Sequence, residues 1–183
     1  MAGLPHYNNA NAARNAHEPF YGNLFEVNIL PPASVGDGSF LLEHVTSIGG
    51  LITEPGQEVA EQKYKQATRS YASGVPTKTT CDLTIGFSLN LNAGNEVYTY
   101  KKIRDWKRLI WNPLTGEQSL KKDYIGTIIV TCYTRTGDIF WVRTFHECFP
   151  TGDVPELALA YDAAEPVGME MNFRADWWSE SMV

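Results

Sequence analysis

The side chains able to do chemistry are few in this sequence, and they are scattered. Four histidines, His6, His17, His44 and His146, stand far apart, and none lies at a metal-ligand spacing such as His-x-x-x-His. The three cysteines, Cys81, Cys132 and Cys148, are an odd number at wide intervals, each inside an apolar strand-like run. That pattern fits small buried hydrophobes better than a disulfide framework or a metal site. His146-Glu147-Cys148 sets an imidazole two residues from a thiol, the pair a nucleophilic cysteine requires, yet without supporting context the motif reads as structural. Gly49-Gly50 follows a strand but lacks the third spaced glycine and the helix start that cradle a phosphate, so it reads as a turn. Glu170 and Asp176 could act as acid and base, but both fall on the polar side of one strand with no neighbour to tune a pKa. Trp177-Trp178 could stack on bases or sugars; more simply, it places one ring in the core and one in a subunit contact. The sequence therefore calls for no catalytic residue, metal or cofactor.

The elements that must position these residues belong to an ordinary globular chain. At 183 residues, with 43% apolar and 20% charged side chains, it suits one domain with one core. No run approaches the roughly 20 apolar residues that span a bilayer, and the first 19 residues lack a leader's basic head and apolar stretch. The expectation is a protein made and kept in a cytoplasm, without a membrane anchor. A net charge of −6 lacks the basic footprint of a sequence-specific nucleic-acid binder. The charge is also unevenly placed. Residues 101–122 hold seven basic side chains against Asp105 and Glu117, net +5, whereas residues 147–183 hold eight acids against Arg174, net −7. Such polarity allows one copy to dock on another.

Along the chain, residues 1–19 are rich in Asn and Ala and read as an arm that stays loose until it meets a partner. Residues 20–30 form a first strand closed by Pro31-Pro32, and a Gly/Ser/Asp loop at 34–39 precedes a second strand over 40–48. Residues 54–80 have no core face and read as an extended hairpin loop projecting toward another subunit. Over 81–91 the alternation is clear: Cys81, Leu83, Ile85, Phe87, Leu89 and Leu91 on one side, Asp82, Thr84, Gly86, Ser88 and Asn90 on the other. Such a strand would run roughly 37 Å. The period then becomes helical over 96–112, with Val97, Tyr100, Ile103, Trp106 and Leu109/Ile110 as the stripe, Asn95 as N-cap and Pro113 just beyond. Lys101, Lys102, Arg104, Lys107 and Arg108 occupy its other face. Runs at 124–133 and 139–145 are apolar on both sides and joined by a hairpin loop; residues 149–166 are broken by Pro and Gly; 169–177 alternates again. The fold class is mainly β (α+β by content), an antiparallel β-barrel or sandwich with one packed helix and an extended hairpin loop.

Certain residues carry a likeness. Asn23-Leu24-Phe25-x-Val27-x-Ile29, the helix end from Trp106 to Trp111, the run Phe149-Pro150-Thr151-Gly152-Asp153-Val154-Pro155-Glu156-Leu157 followed by Leu159 and Tyr161-Asp162, and a last strand closing on Asp176-Trp177 resemble the tail tube protein of contractile-tailed bacteriophages. The likeness runs from Pro19 to Trp178 in element order, departing in the longer N-terminus and the 34–39 insertion. It implies a single tail-tube β-barrel domain over 20–183 and hexameric rings stacked into the inner tube of a virion tail, assembled in the host bacterial cytoplasm. It also implies tail sheath, baseplate and terminator proteins as partners, and genomic DNA passing transiently through the lumen without sequence preference.

On that likeness Asp82, Thr84, Ser88, Asn90, Glu170, Asn172 and Asp176 would line the lumen, where carboxylates repel phosphates, with Arg174 the exception. Glu54, Glu58, Lys63, Lys65 and Arg69 on the hairpin, Lys101, Arg104, Lys107 and Arg108 on the helix, and Trp178 would form assembly interfaces. The helix face would meet an acidic surface of an adjoining copy or of the sheath. Long strands with one wet face carry edges that invite aggregation unless closed, and closure across identical subunits uses them. The alternatives are the inner tube of a contractile secretion or injection system carrying effector proteins, and a small-ligand-binding β-barrel, which the bulky inward residues disfavour.

Overall fold

The computed structural model describes residues 20–36, 38, 45–51, 55–89, 98–154 and 167–182. The arm at 1–19, most of the expected second strand, the 34–39 loop beyond residue 36 save Gly38, Glu54, Asn90, Leu91, Asn95 and residues 155–166 lie outside them. Among the described residues nine strands and two helices occur in the order β1 Phe25–Leu30, β2 Val45–Gly49, β3 Gln57–Lys63, β4 Thr68–Pro76, β5 Cys81–Ser88, α1 Tyr98–Ile110, α2 Lys121–Tyr124, β6 Gly126–Tyr133, β7 Ile139–Thr151, β8 Gly168–Ala175 and β9 Trp177–Met182. The protein is mainly β and every pairing is antiparallel, as the alternating runs predict.

Seven strands connect in the order β1-β6-β7-β8-β5-β2, with β9 paired to β7, while β3 and β4 pair only with each other. The long strand β7 serves two leaves. Its residues up to Cys148 pair with β6 and β9, and its last three, Phe149–Thr151, pair with β8. Between them Glu147 adopts φ 54, a left-handed backbone that kinks the strand. The chain turns a second corner between β8 and β9, at Asp176, whose N–H donates to the carbonyl of His146 at 3.3 Å. Strands that pass from one sheet to another through such bends make the corners of a sandwich. The expected break at 149–166 therefore starts later. Pro150 lies within β7, at the edge of the second leaf, where the missing N–H is tolerated.

One cluster of buried side chains joins the leaves. Cys81, Leu83, Ile85 and Phe87 of β5 stand opposite Ala175, Phe173, Met171 and Met169 of β8, all buried. Val27, Ile29, Ile128, Val130, Cys132, Trp141 and Phe145 face them from the β1-β6-β7 leaf. Helix α1 contributes Ile103 and Trp106 at the helical spacing, and the Trp106 ring sits 5.6 Å from that of Phe173. Its indole N–H donates to the Tyr124 carbonyl at 2.6 Å. Gly126 makes room for it, since a Cβ there would lie 2.7 Å from the Trp106 ring and 2.6 Å from the Leu30 carbonyl oxygen. The second face of β6 and β7 is only half-covered, so the expectation of equal burial on both sides is met in part.

The corner at Asp176 corrects the expectation for the last strand. Simple alternation from Ala175 would bury Trp177, but one bend residue shifts the phase. Trp177 is 48% exposed, and Trp178 packs against the core. The chain then continues as β9, a strand beyond the end that alternation alone predicts.

Candidate assembly surfaces

The polar face shared by β5 and β8 is where most of the expected lumen residues meet. Register pairs Asp82 with Arg174, Thr84 with Asn172 and Gly86 with Glu170. The Arg174 Nε donates to Asp82 at 2.7 Å, Lys78 donates to its other oxygen at 2.7 Å, and the Thr84 hydroxyl donates to the Asn172 amide oxygen at 2.8 Å. Arg174 and then Lys78 hold the Asp82 carboxyl below its usual range. Ser88 stands opposite Gly168 at the end of the row. Glu170 makes no ion pair among the described residues. The face is thus zwitterionic around Asp82: the sequence marks Arg174 as the exception among the expected lumen residues but does not show that it and Lys78 pair with that carboxylate, because cross-strand partners cannot be counted along one strand.

Asp176 leaves that row. It sits at the corner, where Lys121 of α2 donates both to it and to Glu147, the latter at 2.6 Å. The two residues at which the long strands change leaves thus share one ammonium, and Asp176 and then Glu147 raise the Lys121 pKa above its usual range. Beside the corner, His146 stacks on Trp177 with ring centroids 3.7 Å apart, and its Nε2 lies 3.1 Å from the Ser179 hydroxyl.

That geometry also separates the imidazole from the thiol. The kink at Glu147 turns Cys148 inward, wholly buried, while His146 faces Trp177 outside. The Cys148 thiol donates to the Phe145 carbonyl, and burial pushes its pKa up to about 12, so no thiolate forms near neutrality. Among the described residues no group of three or more His, Cys, Asp or Glu could hold a metal ion, and no helix is long and apolar enough to cross a membrane.

The second surface is the β3–β4 hairpin. Every residue of both strands is exposed, including Glu58, Lys63 and Arg69, and Val59 (62%) and Val75 (51%) lie open to solvent. Tyr64 and Ala67 close its tip through reciprocal backbone bonds of 2.7 and 3.4 Å around Lys65-Gln66, and Arg69 lies over the Tyr64 ring.

The third surface is the basic side of α1. Lys101 is exposed, and Arg104, Lys107 and Arg108 are half-buried. Lys107 donates to the Gly152 carbonyl, and Arg104 lies 6.0 Å from the Tyr100 ring centroid.

Two residues are not legible in the sequence. Arg143, wholly buried between Trp141 and Phe145 on the inner face of β7, donates to Glu180 of β9 and lies 4.8 Å from the Trp141 ring centroid. Arg143, with Trp141 second, holds the Glu180 carboxyl below its usual range. A charged residue on an otherwise apolar face was the available signal. Lys121 had none, because its partners lie 26 and 55 residues away.

No family model and no curated protein matches the sequence. Solved structures do. A chain of the anti-feeding prophage cap, the AFP tube terminating cap, aligns with TM-score 0.62 at 13% identity, covering 91% of this chain and 93% of that one. A chain of an extracellular contractile injection system, the PVC sheath-tube complex in its extended state, aligns with TM-score 0.61 at 13% identity, over 94% and 97%. The fold is that of contractile tail-tube proteins. The PVC sheath/tube terminator shares it with TM-score 0.57 at 12% identity, over 90% of this chain and 98% of its own. At such identities the likeness is one of fold.

Proposed function

We propose that this chain is a structural, non-catalytic subunit that assembles as hexameric rings stacked into the inner tube of a contractile tail. The observation that carries the reading is the β2-β5-β8 leaf. One of its faces is packed solid with Leu83, Ile85, Met171 and Phe173, and the other is an ordered polar surface that a monomer leaves unused. The outer edges of β1, β2 and β9 carry no partner strand among the described residues, so they are open to pairing between copies. In this reading Asp82, Thr84, Ser88, Glu170, Asn172 and Arg174 face the channel. Glu58, Lys63, Lys65 and Arg69, with Glu54, carry the hairpin toward the next ring, and α1 stays outside. Trp178 serves the core of its own subunit, and Trp177 takes its place as the exposed ring. Sheath, baseplate and terminator proteins are the expected partners.

The cargo of the primary reading is phage DNA, passed along a wall whose paired charges neither grip nor bar phosphates. The likeness to injection-system assemblies supports a second reading, in which the subunit belongs to the tube or terminating cap of such an apparatus and the cargo is protein. Electron microscopy of the purified full chain tests the shared claim. Stacked rings with a central hole are expected, with the β5–β8 polar face lining the hole; compact single particles at high concentration, or those side chains on the outer wall, would overturn it.

A further inference from the structure

The polar face of the β2-β5-β8 leaf is closed by cross-strand partners in two rows, Asp82 with Arg174 and Thr84 with Asn172, and notched in the next. There Ser47, Gly86 and Glu170 lie side by side, and Gly86 has no side chain to fill the middle. The register of β2 shifts between Val45 and Ser47, a bulge that turns Thr46 and Ser47 together over the gap. A Cβ at Gly86 would lie 2.4 Å from the Ser47 hydroxyl oxygen and 3.0 Å from that of Thr46. The result is a notch of about 260 Å³ whose polar lining is Thr46, Ser47 and Glu170, all exposed. That is smaller than the roughly 300–1,000 Å³ of small-molecule sites and leaves room for one long side chain. Glu170 makes no ion pair among the described residues. One carboxylate with two hydroxyls is a poor cage for calcium and suits an ammonium, which donates to all three.

The segments that adjoin the notch in sequence and lie outside the described residues, 39–44, 90–97 and 155–166, contain no Lys or Arg. The β3–β4 hairpin has the opposite excess. From Gln62 to Cys81 it carries Lys63, Lys65, Arg69 and Lys78 and no acid, and Lys63 and Lys65 at its tip are exposed and in no ion pair among the described residues. Position completes the match. The hairpin is inserted between the end of β2 and the start of β5, whereas the notch lies toward the start of β2, the end of β5 and the start of β8. Within the subunit the hairpin pairs with no other strand, and its seven-residue strand β3 alone reaches roughly 24 Å at about 3.4 Å per residue. Donor and acceptor at opposite ends of one leaf are what a head-to-tail contact needs, since each copy then offers its hairpin to the notch of the next. We infer that the notch receives Lys65 from the hairpin tip of a second copy in the adjoining ring, with its ammonium between the Glu170 carboxylate and the Thr46 and Ser47 hydroxyls. This rests on the tube reading, in which rings stack, and assigns the hairpin its acceptor.

The test uses the full chain, with tubes scored by electron microscopy. The three native cysteines are buried, so Ser47→Cys/Lys65→Cys offers two accessible thiols. A bis-maleimide about as long as a lysine side chain should link that variant's tubes into a ladder of joined chains on a denaturing gel, and neither single variant should give one. Glu170→Lys should raise the protein concentration at which tubes form about tenfold, and adding Lys63→Glu/Lys65→Glu to it should reverse most of that rise, with circular dichroism confirming that each variant folds. Tubes that give no ladder, or that form equally well in Glu170→Lys, would overturn the docking and leave the tube reading standing. A wild-type chain that forms no rings would overturn both. A link within one chain between Ser47→Cys and Arg14→Cys would give the notch to the N-terminal arm, which also overturns the docking.

Discussion

Cys148 shows how a residue that looks reactive in sequence becomes inert in place. Its thiol is buried, and its pKa is raised from an ordinary 9.0 to about 12. A thiol whose folded pKa lies above its unfolded value adds stability that is whole below the unfolded pKa and is lost as pH climbs toward the folded one. Unfolding free energy should therefore fall from pH 9 upward, by about 1.4 kcal/mol per pH unit from this group. Cys148→Ala should flatten that slope, and chemical denaturation across the alkaline range measures it. A slope unchanged in the variant would place the titration elsewhere.

At the scale of elements, the two corners decide how the leaves meet. Glu147 holds a left-handed φ of 54 that costs a non-glycine residue of the order of 1–3 kcal/mol. Glu147→Gly and Glu147→Val remove the same carboxylate from Lys121, so their difference isolates the backbone. The valine variant should be less stable than the glycine variant by about 1–3 kcal/mol, because a β-branched side chain is worst placed there. Equal stability in urea titrations would argue against the kink. The β3–β4 hairpin poses the opposite case, an element without a core. A lone two-stranded hairpin is marginal in water, and every residue of this one is exposed. In the free subunit its backbone amides should exchange rapidly with solvent deuterium and become protected on assembly. Deleting residues 54–79 should leave a soluble subunit that does not polymerise. Exchange unaltered by assembly would deny the hairpin its role between rings.

Over the whole molecule, the proposed assembly would link association to stability through the edges of β1, β2 and β9, which carry no partner strand among the described residues, and through the exposed hairpin. In the proposed tube, contacts made only on assembly would stabilise the folded subunit by mass action. The thermal midpoint should rise with protein concentration once rings form, and calorimetry over a dilution series reads this directly. A midpoint independent of concentration would mark the chain as self-sufficient, and the polar leaf would need another use.

Much of this was legible in the residues, for a stated reason. Alternation over 81–88 and 169–175, the helical stripe through Ile103 and Trp106, and the coreless stretch that became the β3–β4 hairpin are local periodicities, fixed by the pleat and the helical turn. The basic helix face arises from the same periodicity. What the chain order hides is everything set by contact between strands distant in sequence. The kinks at Glu147 and Asp176 change the phase of the strand beyond each of them, which is why Trp178 and not Trp177 reaches the core and why β9 exists as a separate strand. The pairing of Asp82 with Arg174, of Arg143 with Glu180, and of Lys121 with both corners arises only when those strands lie side by side. The residues themselves determined which faces are apolar and which are wet; tertiary structure decided which charges remain unpaired on the wet ones, because an ion pair belongs to two strands and a periodicity to one.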